Sequence, residues 1–197
     1  MLAKFVALEG IDQSGKKTQT ALLISRLKRE GYRVSSLSFP IYSSPSGHQL
    51  KNYLRGRREY PPPAVHMLYS LNRWENKDTI IRKLEKSDFL LANRYSASNL
   101  AYGLSHGLNL DWLRNLDRGL LEPDVVIVLD VPVGFSFERK VRKRDVHENN
   151  RALLLRVRRN YLKLAKKFGW HVVEASGPAV DVQSRIWETL QGLGLVR

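Results

Sequence analysis

The chain has 197 residues, of which 43% are hydrophobic and 26% are charged, a composition typical of one folded domain rather than of a disordered or fibrous protein. It contains no cysteine, which excludes disulfides and thiolate metal sites; with no leader pattern and no bilayer-length apolar run, a cytoplasmic protein without a membrane role is expected. Lys and Arg total 33 against 19 acidic residues, a formal net charge of +14, so we expect an anionic partner: nucleic acid, nucleotide or phosphate.

Short apolar runs alternate with longer stretches of helical periodicity, the pattern of a parallel sheet covered by helices. The predicted strands are residues 3–8, 32–39, 89–92, 125–130 and 171–174. The predicted helices are residues 16–30, 64–86, 109–119, 134–144, 151–167 and 180–191, with a short helix near 49–54. We find neither a repeat nor a linker, and therefore expect a single α/β domain over residues 1–197.

A glycine-rich segment leads from the first predicted strand into the first predicted helix. Its G-x-x-x-x-G-K spacing is that of a phosphate-binding loop, in which backbone N–H groups and the helix N-terminus hold phosphate oxygens. Lys16 can then reach between the terminal phosphates. Lys17 stands where Ser or Thr usually offers a hydroxyl to Mg²⁺, so either other groups hold the ion or this ammonium supplies part of the charge. The nucleotide-binding residues expected here are Gly10, Asp12, Gln13, Ser14, Gly15, Lys16, Lys17 and Thr18.

An aromatic residue and an arginine share one face of the long predicted helix. Tyr69 and Arg73 are four residues apart, so the ring is placed to stack on a planar base while the guanidinium donates to a carbonyl. The alternative is a Tyr69 packed in the core and an Arg73 in a surface ion pair.

Polar residues follow the third predicted strand. Asn93 and Arg94 lie at its carboxyl end, where ligands bind in open α/β sheets. Ser98, Asn99 and Tyr102 follow at helical spacing and are expected to face the same cleft. We also expect a function for Asp12, because its carboxylate lies inside the phosphate loop.

The segment from 139 to 159 is strongly basic, and Asp145 and Glu148 are its only acidic residues. A mobile basic lid that closes over phosphates would exclude water and stabilise charge. The alternative is a surface helix with solvated charges.

Taken together, these residues resemble the thymidylate kinase family of P-loop nucleoside monophosphate kinases. The resemblance covers nearly the whole chain. It is carried by Glu9 to Asp12, Lys16, Thr18-Gln19, Phe39 to Tyr42, Asn72 to Glu75, Arg94-Tyr95, Ser98, Ala101-Tyr102, Leu110 to Trp112, Pro123-Asp124 and Leu129 to Pro132.

The resemblance implies a three-layer P-loop fold, with a five-stranded parallel sheet between helices and a short basic lid at about 139–151. It implies transfer of the γ-phosphoryl group of ATP to dTMP in dTTP synthesis, with Mg²⁺ bound alongside ATP. Other nucleoside monophosphates, dUMP first, remain alternative acceptors. A homodimer is expected, and nucleic acid is not an expected partner.

The resemblance also assigns roles. Lys16 would bridge the donor phosphates, Arg94 and Tyr42 would hold the dTMP phosphate, and Asp12 would meet the sugar 3′-hydroxyl or a metal. Tyr69 would stack on thymine, where the family usually has Phe. The implied dTMP set is Asp12, Phe39, Tyr42, Tyr69, Arg73, Arg94, Ser98, Asn99 and Tyr102; Arg73 and Asn99 meet the base edge, and Tyr102 excludes a ribose 2′-hydroxyl. Adenine would lie against Arg139 and residues 176–182.

Two residues depart from the family pattern. Asn93 replaces the Asp of its Asp-Arg-Tyr/His motif, and Lys17 replaces a hydroxyl residue; both changes remove a group associated with Mg²⁺. We interpret them as compensatory, with Lys17 supplying positive charge that Mg²⁺ supplies in other members. Gln13 stands where some members carry a catalytic Arg, which shifts that role to the lid. The catalytic set is therefore Lys16, Asn93, Arg94, Arg142 and Arg144, and the metal contacts are Asp12, Asp145 and Glu148. A catalytically impaired nucleotide-binding homologue remains an alternative.

Overall fold

The computed structural model describes residues 3–135 and 150–197, and within them a five-stranded parallel sheet forms the centre of the fold. The strands are β1 (Lys4–Glu9), β2 (Val34–Ser38), β3 (Phe89–Asn93), β4 (Val125–Asp130) and β5 (His171–Glu174). Their spatial order is β2-β3-β1-β4-β5. All five predicted strands are confirmed, with boundaries shifted by at most two residues.

Helices cover the sheet. In the described residues they are α1 (Lys16–Arg29), α2 (Pro45–Leu54), α3 (Pro62–Glu75), α4 (Lys77–Glu85), α5 (Ser96–Ser105), α6 (Leu110–Leu116), α7 (Arg151–Phe168) and α8 (Ala179–Gly192). Helix α2 begins earlier than expected because Ser44 caps it, accepting from the Gly47 N–H at 3.2 Å. The predicted helix at 134–144 falls mostly outside the described residues.

The expectation of one continuous helix over 64–86 was wrong. Asn76 separates α3 from α4, and its side-chain Nδ2 donates to the Asn72 carbonyl at 2.7 Å. In an unbroken helix the backbone N–H of Asn76 would take that carbonyl; here it bonds Arg73 instead. Such side-chain competition for backbone acceptors ends helices at Asn.

The core lies on both faces of the central strands. Residues 5–9 of β1 and 125–129 of β4 are buried throughout, which explains their continuous apolar sequences. The connection after β1 leads to β2 on one side of the sheet, whereas the connection after β3 leads to β4 on the other side. The carboxyl ends of β1 and β3 therefore border a topological switch point. Ligands bind at such points in open α/β sheets. Among the helices of the described residues, none has both the length and the apolar character needed to cross a bilayer.

Candidate active site

The loop after β1 has the backbone geometry of a phosphate cradle. Gly10 and Gly15 have φ of 137° and 94°, and Gln13 also adopts a positive φ of 62°. A Cβ on Gly10 would lie 2.5 Å from the backbone oxygen of Leu129 on β4. The loop therefore requires glycine here for both conformation and space. Gly15 is the N-cap of α1, so the helix N-terminus opens into the loop.

Lys16 is buried, and the loop itself holds its ammonium. Its Nζ donates to the carbonyls of Gly10 at 3.0 Å and Ile11 at 2.6 Å, and to Ser14 Oγ at 3.2 Å. The cation thus lies inside the curve of the backbone. That this lysine bridges the donor phosphates stays a prediction.

Glu9, at the end of β1, fixes the start of α5. Its fully buried carboxylate accepts from the backbone N–H of Tyr95 at 2.6 Å, from the Ser98 hydroxyl at 2.6 Å and from Tyr161 OH at 3.0 Å. A carboxylate suits the positive end of a helix. Burial, followed by the charge of Glu9, raises the pKa of Tyr161 well above its ordinary value, so the phenol keeps the proton that it donates.

Arg94 reaches back from β3 to the phosphate loop. The residue has a positive φ of 66°, an uncommon conformation for a side-chain-bearing residue. Its guanidinium donates to the Gly10 carbonyl and to Ser98 Oγ, both at 3.1 Å, and forms an ion pair with Asp12. Burial alone would lower the pKa of Arg94, but the carboxylate of Asp12 raises it well above its ordinary value, so Arg94 remains charged.

Tyr102 holds the other oxygen of Asp12. Its hydroxyl donates to Asp12 Oδ2 at 2.6 Å. Burial, followed by the Asp12 charge, raises the pKa of Tyr102 well above its ordinary value. The Asp12 carboxylate is therefore oriented by two donors from the segment that begins at Arg94.

Side chains from α3, from α5 and from the loops that follow β2 and β3 enclose a cavity of about 130 Å³, which we call the acceptor cavity. All the predicted dTMP-binding residues line it, so the structure brings the whole set together. It is lined by Asp12, Phe39, Pro40, Tyr42, Leu54, His66, Tyr69, Asn72, Arg73, Arg94, Tyr95, Ser98, Asn99 and Tyr102.

Arg73 lies in the wall of the acceptor cavity and is anchored by a residue that the sequence analysis missed. Arg73 Nε and Nη2 donate to the two carboxylate oxygens of Asp117, and the closest contact is 2.7 Å. The side chain of Arg73 is 3% exposed and that of Asp117 is 12% exposed. Ser70 Oγ also donates to Asp117 at 2.7 Å. The alternative of a surface ion pair for Arg73 is wrong, because this pair is buried. Tyr69 is half-buried and lines the cavity, rather than lying in the core.

Replacing Asp117 with Asn should weaken both the fold and the acceptor cavity, because it leaves the buried Arg73 charge without its counter-charge. We expect the free energy of unfolding to fall by about 3 kcal/mol and KM for the acceptor to rise more than kcat falls. Denaturant unfolding and steady-state kinetics measure these effects. Asp88→Asn is the matched control, since Asp88 forms an exposed pair with Arg33, and pairs of that kind contribute about 1 kcal/mol or less. Equal losses in the two variants would contradict the assignment.

A second, larger cavity of about 620 Å³ surrounds the phosphate loop, and we call it the donor cavity. It is lined by every residue from Asp12 to Thr18, which is the predicted nucleotide-binding segment without Gly10, and by Asn93 from β3. Ala175, Gly177, Ala179 and Val182 also line it, so the predicted adenine segment at 176–182 lies beside the phosphate loop. Lys17 and Thr18 are exposed. Asp12, Phe39 and Arg94 line both cavities, which therefore meet at the ion pair.

The predicted lid residues Arg139, Arg142 and Arg144 and two of the three predicted metal contacts, Asp145 and Glu148, lie outside the described residues. The third, Asp12, is described, and its carboxylate contacts Arg94 and Tyr102. Across residues 3–135 and 150–197, no three His, Cys, Asp or Glu side chains come together as a metal site.

The sequence analysis assigned no role to four supporting residues, Glu9, His66, Asn72 and Asp117, although Glu9 and Asn72 lie in segments that carry the family resemblance. Fully buried Asn72 accepts from the backbone N–H of Ile41 at 2.8 Å and donates to Ser44 Oγ at 2.9 Å, which fixes the loop that carries Tyr42. His66 had a usable signal, because it precedes Tyr69 and Arg73 by three and seven residues and so shares their helical face. The contacts of the other three could not be predicted from local spacing, since their partners are distant in sequence.

Comparison with known proteins agrees with this architecture. The protein-family model for thymidylate kinase matches residues 8–186 of the chain. Human thymidylate kinase is 34% identical over 174 residues, covering 87% of this chain and 82% of its own. The Plasmodium falciparum thymidylate kinase is 32% identical over 185 residues, covering 93% and 87%.

A solved structure is similar over almost the same span. Thymidylate kinase from Candida albicans superposes with a TM-score of 0.87 at 26% identity and covers 98% of this chain and 93% of its own. The chain therefore belongs to the thymidylate kinase family, whose members are phosphotransferases.

Proposed function

We propose that this chain transfers the γ-phosphoryl group of ATP to dTMP, giving ADP and dTDP, across the junction of the donor and acceptor cavities. One observation carries the proposal: a phosphate-loop cavity and a base-sized cavity share Asp12, Phe39 and Arg94 as a common wall. A donor phosphate and an acceptor phosphate held in these cavities would meet beside the Arg94 guanidinium.

The acceptor cavity has groups suited to thymidine monophosphate. Tyr69 offers an aromatic face to the base, and Arg73, held in place by Asp117, points a donor at a base carbonyl. Asn99 supplies a buried amide for the remaining edge. Tyr42 and Arg94 would hold the phosphate, while the oriented carboxylate of Asp12 would accept from the 3′-hydroxyl. The set suits a pyrimidine with a carbonyl at position 4, so dUMP is a second candidate acceptor.

The chemistry requires positioning and charge stabilisation more than covalent catalysis. The acceptor phosphate is already anionic, so no general base is needed. Lys16 would stabilise charge on the transferring group from within the loop. We assign the matching role on the lid to Arg142 or Arg144, which would also exclude water when the lid closes.

The residues of the donor cavity fit a magnesium ion that arrives with ATP. Asn93 Oδ1 is buried and has no hydrogen-bond partner among residues 3–135 and 150–197, and its residue lines this cavity. Amide oxygens are suitable ligands for such hard cations. Asn93, with Asp145 and Glu148 from the lid, would hold the ion, leaving Asp12 to the acceptor. When bound, magnesium would neutralise charge on the phosphate oxygens.

Binding measurements test the division between the two cavities. Titration calorimetry should show that Tyr69→Ala weakens dTMP binding by about tenfold, as expected for the loss of one stacking aromatic, while the affinity for ADP stays the same. Tyr53→Ala removes a tyrosine outside both cavities and should change neither affinity. Parallel loss of dTMP and ADP affinity in Tyr69→Ala would contradict separate sites.

The two departures from the family pattern make a specific prediction. If Lys17 supplies charge that compensates for Asn93, then neither Asn93→Asp nor Lys17→Ser alone should raise turnover, and both residues line the same cavity. Initial rates over a range of magnesium concentrations measure the effect. A large gain in kcat from either single variant would contradict the compensation.

The proposal includes a homodimer of a single-domain cytoplasmic protein. Three exposed apolar side chains on α3, Met67, Leu71 and Trp74, lie on one face at 49%, 47% and 37% exposure. Such a stripe is typical of a covered surface. Light scattering in solution should give twice the chain mass of 22.7 kDa.

A further inference from the structure

Three side chains form a hydrogen-bonded chain that begins in the wall of the acceptor cavity, and only one of them has a role so far. Asn99 Oδ1 is 2.6 Å from His66 Nδ1, and His66 Nε2 is 3.0 Å from His106 Nδ1. His66 and Asn99 both line the cavity, at 1% and 3% exposure. His66 comes from α3, and His106 follows directly after α5, which carries Asn99. The chain thus links the two helices that form the base end of the cavity.

The surroundings of Asn99 allow one orientation of its amide. Asn99 Nδ2 donates to the backbone carbonyl of His66 at 3.3 Å, a contact that the amide oxygen cannot make. Asn99 Oδ1 therefore faces the His66 ring. Because this oxygen only accepts, His66 Nδ1 carries the hydrogen. The other nitrogen of a neutral His66 is then an acceptor, so His106 Nδ1 donates to it.

This pattern requires neutral rings. Burial, reinforced by the charge of Arg156, lowers the pKa of His106, which favours the neutral form of that ring. With both rings neutral, the hydrogen bonds run in one direction, from His106 through His66 to the oxygen of Asn99.

We propose that His66 and His106 are positioning residues for base selection, which fix the Asn99 amide with its oxygen directed at the N3 position of the acceptor base. The proposal rests on the proposed function, in which Asn99 meets the base edge. Thymine has a hydrogen on N3, which the second lone pair of Asn99 Oδ1 can accept. Cytosine has a lone pair on N3, which that oxygen repels. An amide free to rotate would present its nitrogen to cytosine instead, so the two histidines act against dCMP.

The test compares two substitutions of the half-buried His106. His106→Leu removes the donor to His66, whereas His106→Asn keeps an amide donor near the position of Nδ1. We expect His106→Leu to lower the ratio of kcat/KM for dTMP over dCMP by about tenfold, the factor that corresponds to 1.4 kcal/mol. The change should lie in KM, with kcat for dTMP within about twofold of the wild-type value. His106→Asn should restore most of the discrimination. A purely structural role would weaken both acceptors equally, and that result would overturn the proposal.

A spectroscopic measurement tests the same proposal without turnover. Long-range ¹H–¹⁵N correlation spectra of the imidazole rings report which nitrogen carries the hydrogen, and His106→Leu assigns one set of signals. We expect the hydrogen on Nδ1 of both His66 and His106, although free imidazole side chains favour Nε2. A hydrogen on Nε2 of His66 would overturn the proposal. A wild-type protein with these tautomers, but with no dTMP binding by calorimetry, would overturn the proposed function instead.

Discussion

Replacing Lys16 with Met should lower kcat by about a hundredfold to a thousandfold, the loss that follows when one preorganised donor to transition-state charge is removed. The residue is buried, and three oxygens of the phosphate loop hold its ammonium. The loop therefore holds the positive charge at the expected position of the donor phosphates before any substrate arrives. Met keeps the length and apolar volume of the side chain but not the cation.

The control for Lys16→Met is Lys28→Met, at the exposed far end of the same helix. That substitution removes an equal charge from α1 and should leave kcat within about twofold, because surface substitutions away from a site have small effects. Binding of dTMP to Lys16→Met should match the wild type and show that the acceptor cavity is intact. If Lys16→Met keeps kcat within about threefold, the donor phosphates do not lie in this loop.

Arg94→Lys should lower kcat/KM for dTMP by about tenfold to a hundredfold, because a lysine loses at least one of the hydrogen bonds that the guanidinium makes, and a hydrogen bond to a charged group contributes about 1.5–3 kcal/mol. The guanidinium of Arg94 forms an ion pair with Asp12 and donates hydrogen bonds to Ser98 Oγ and the Gly10 carbonyl at the same time. A single ammonium cannot reproduce that fork. Lysine keeps the positive charge, and its backbone strain at positive φ equals that of arginine. The substitution therefore tests only the planar, forked shape of the guanidinium.

The matched control for Arg94→Lys is Arg33→Lys. Arg33 also makes a forked pair, with Asp88, but at 68% exposure, and exposed pairs contribute about 1 kcal/mol or less. Arg33→Lys should therefore leave the kinetic constants and the free energy of unfolding nearly unchanged. Affinity for ATP should change far less than affinity for dTMP in Arg94→Lys. A variant that loses ATP affinity and keeps dTMP affinity would place Arg94 in the donor cavity alone.

Features encoded within one short segment could be predicted from the sequence. β1 and β4 have continuous apolar runs because both of their faces are buried. The phosphate loop needs glycine at position 10 because a Cβ there would collide with the backbone of β4. The face of α5 that carries Ser98, Asn99 and Tyr102 follows from helical spacing alone. The break at Asn76 was missed because a side-chain hydrogen bond, rather than a periodicity, ends α3.

Features that depend on contacts between distant residues could not be predicted. Asp117 anchors Arg73 from 44 positions away, and Tyr161 reaches Glu9 across 152. No local pattern distinguishes these acids from surface charges. The sequence placed Arg73 beside a ligand, but only the fold shows that Asp117 fixes its direction.

The central claim is that the two joined cavities form an enzyme that uses dTMP as acceptor. The most direct test is the rate of ADP formation from ATP and Mg²⁺ with dTMP, dUMP, dCMP, dGMP or no acceptor, measured at several temperatures. The account predicts acceptor-dependent turnover that is highest with dTMP, followed by dUMP, with little activity on dCMP. Binding of dTMP and ATP without any acceptor-dependent ADP formation would contradict it and favour a nucleotide-binding protein disabled at Asn93 and Lys17.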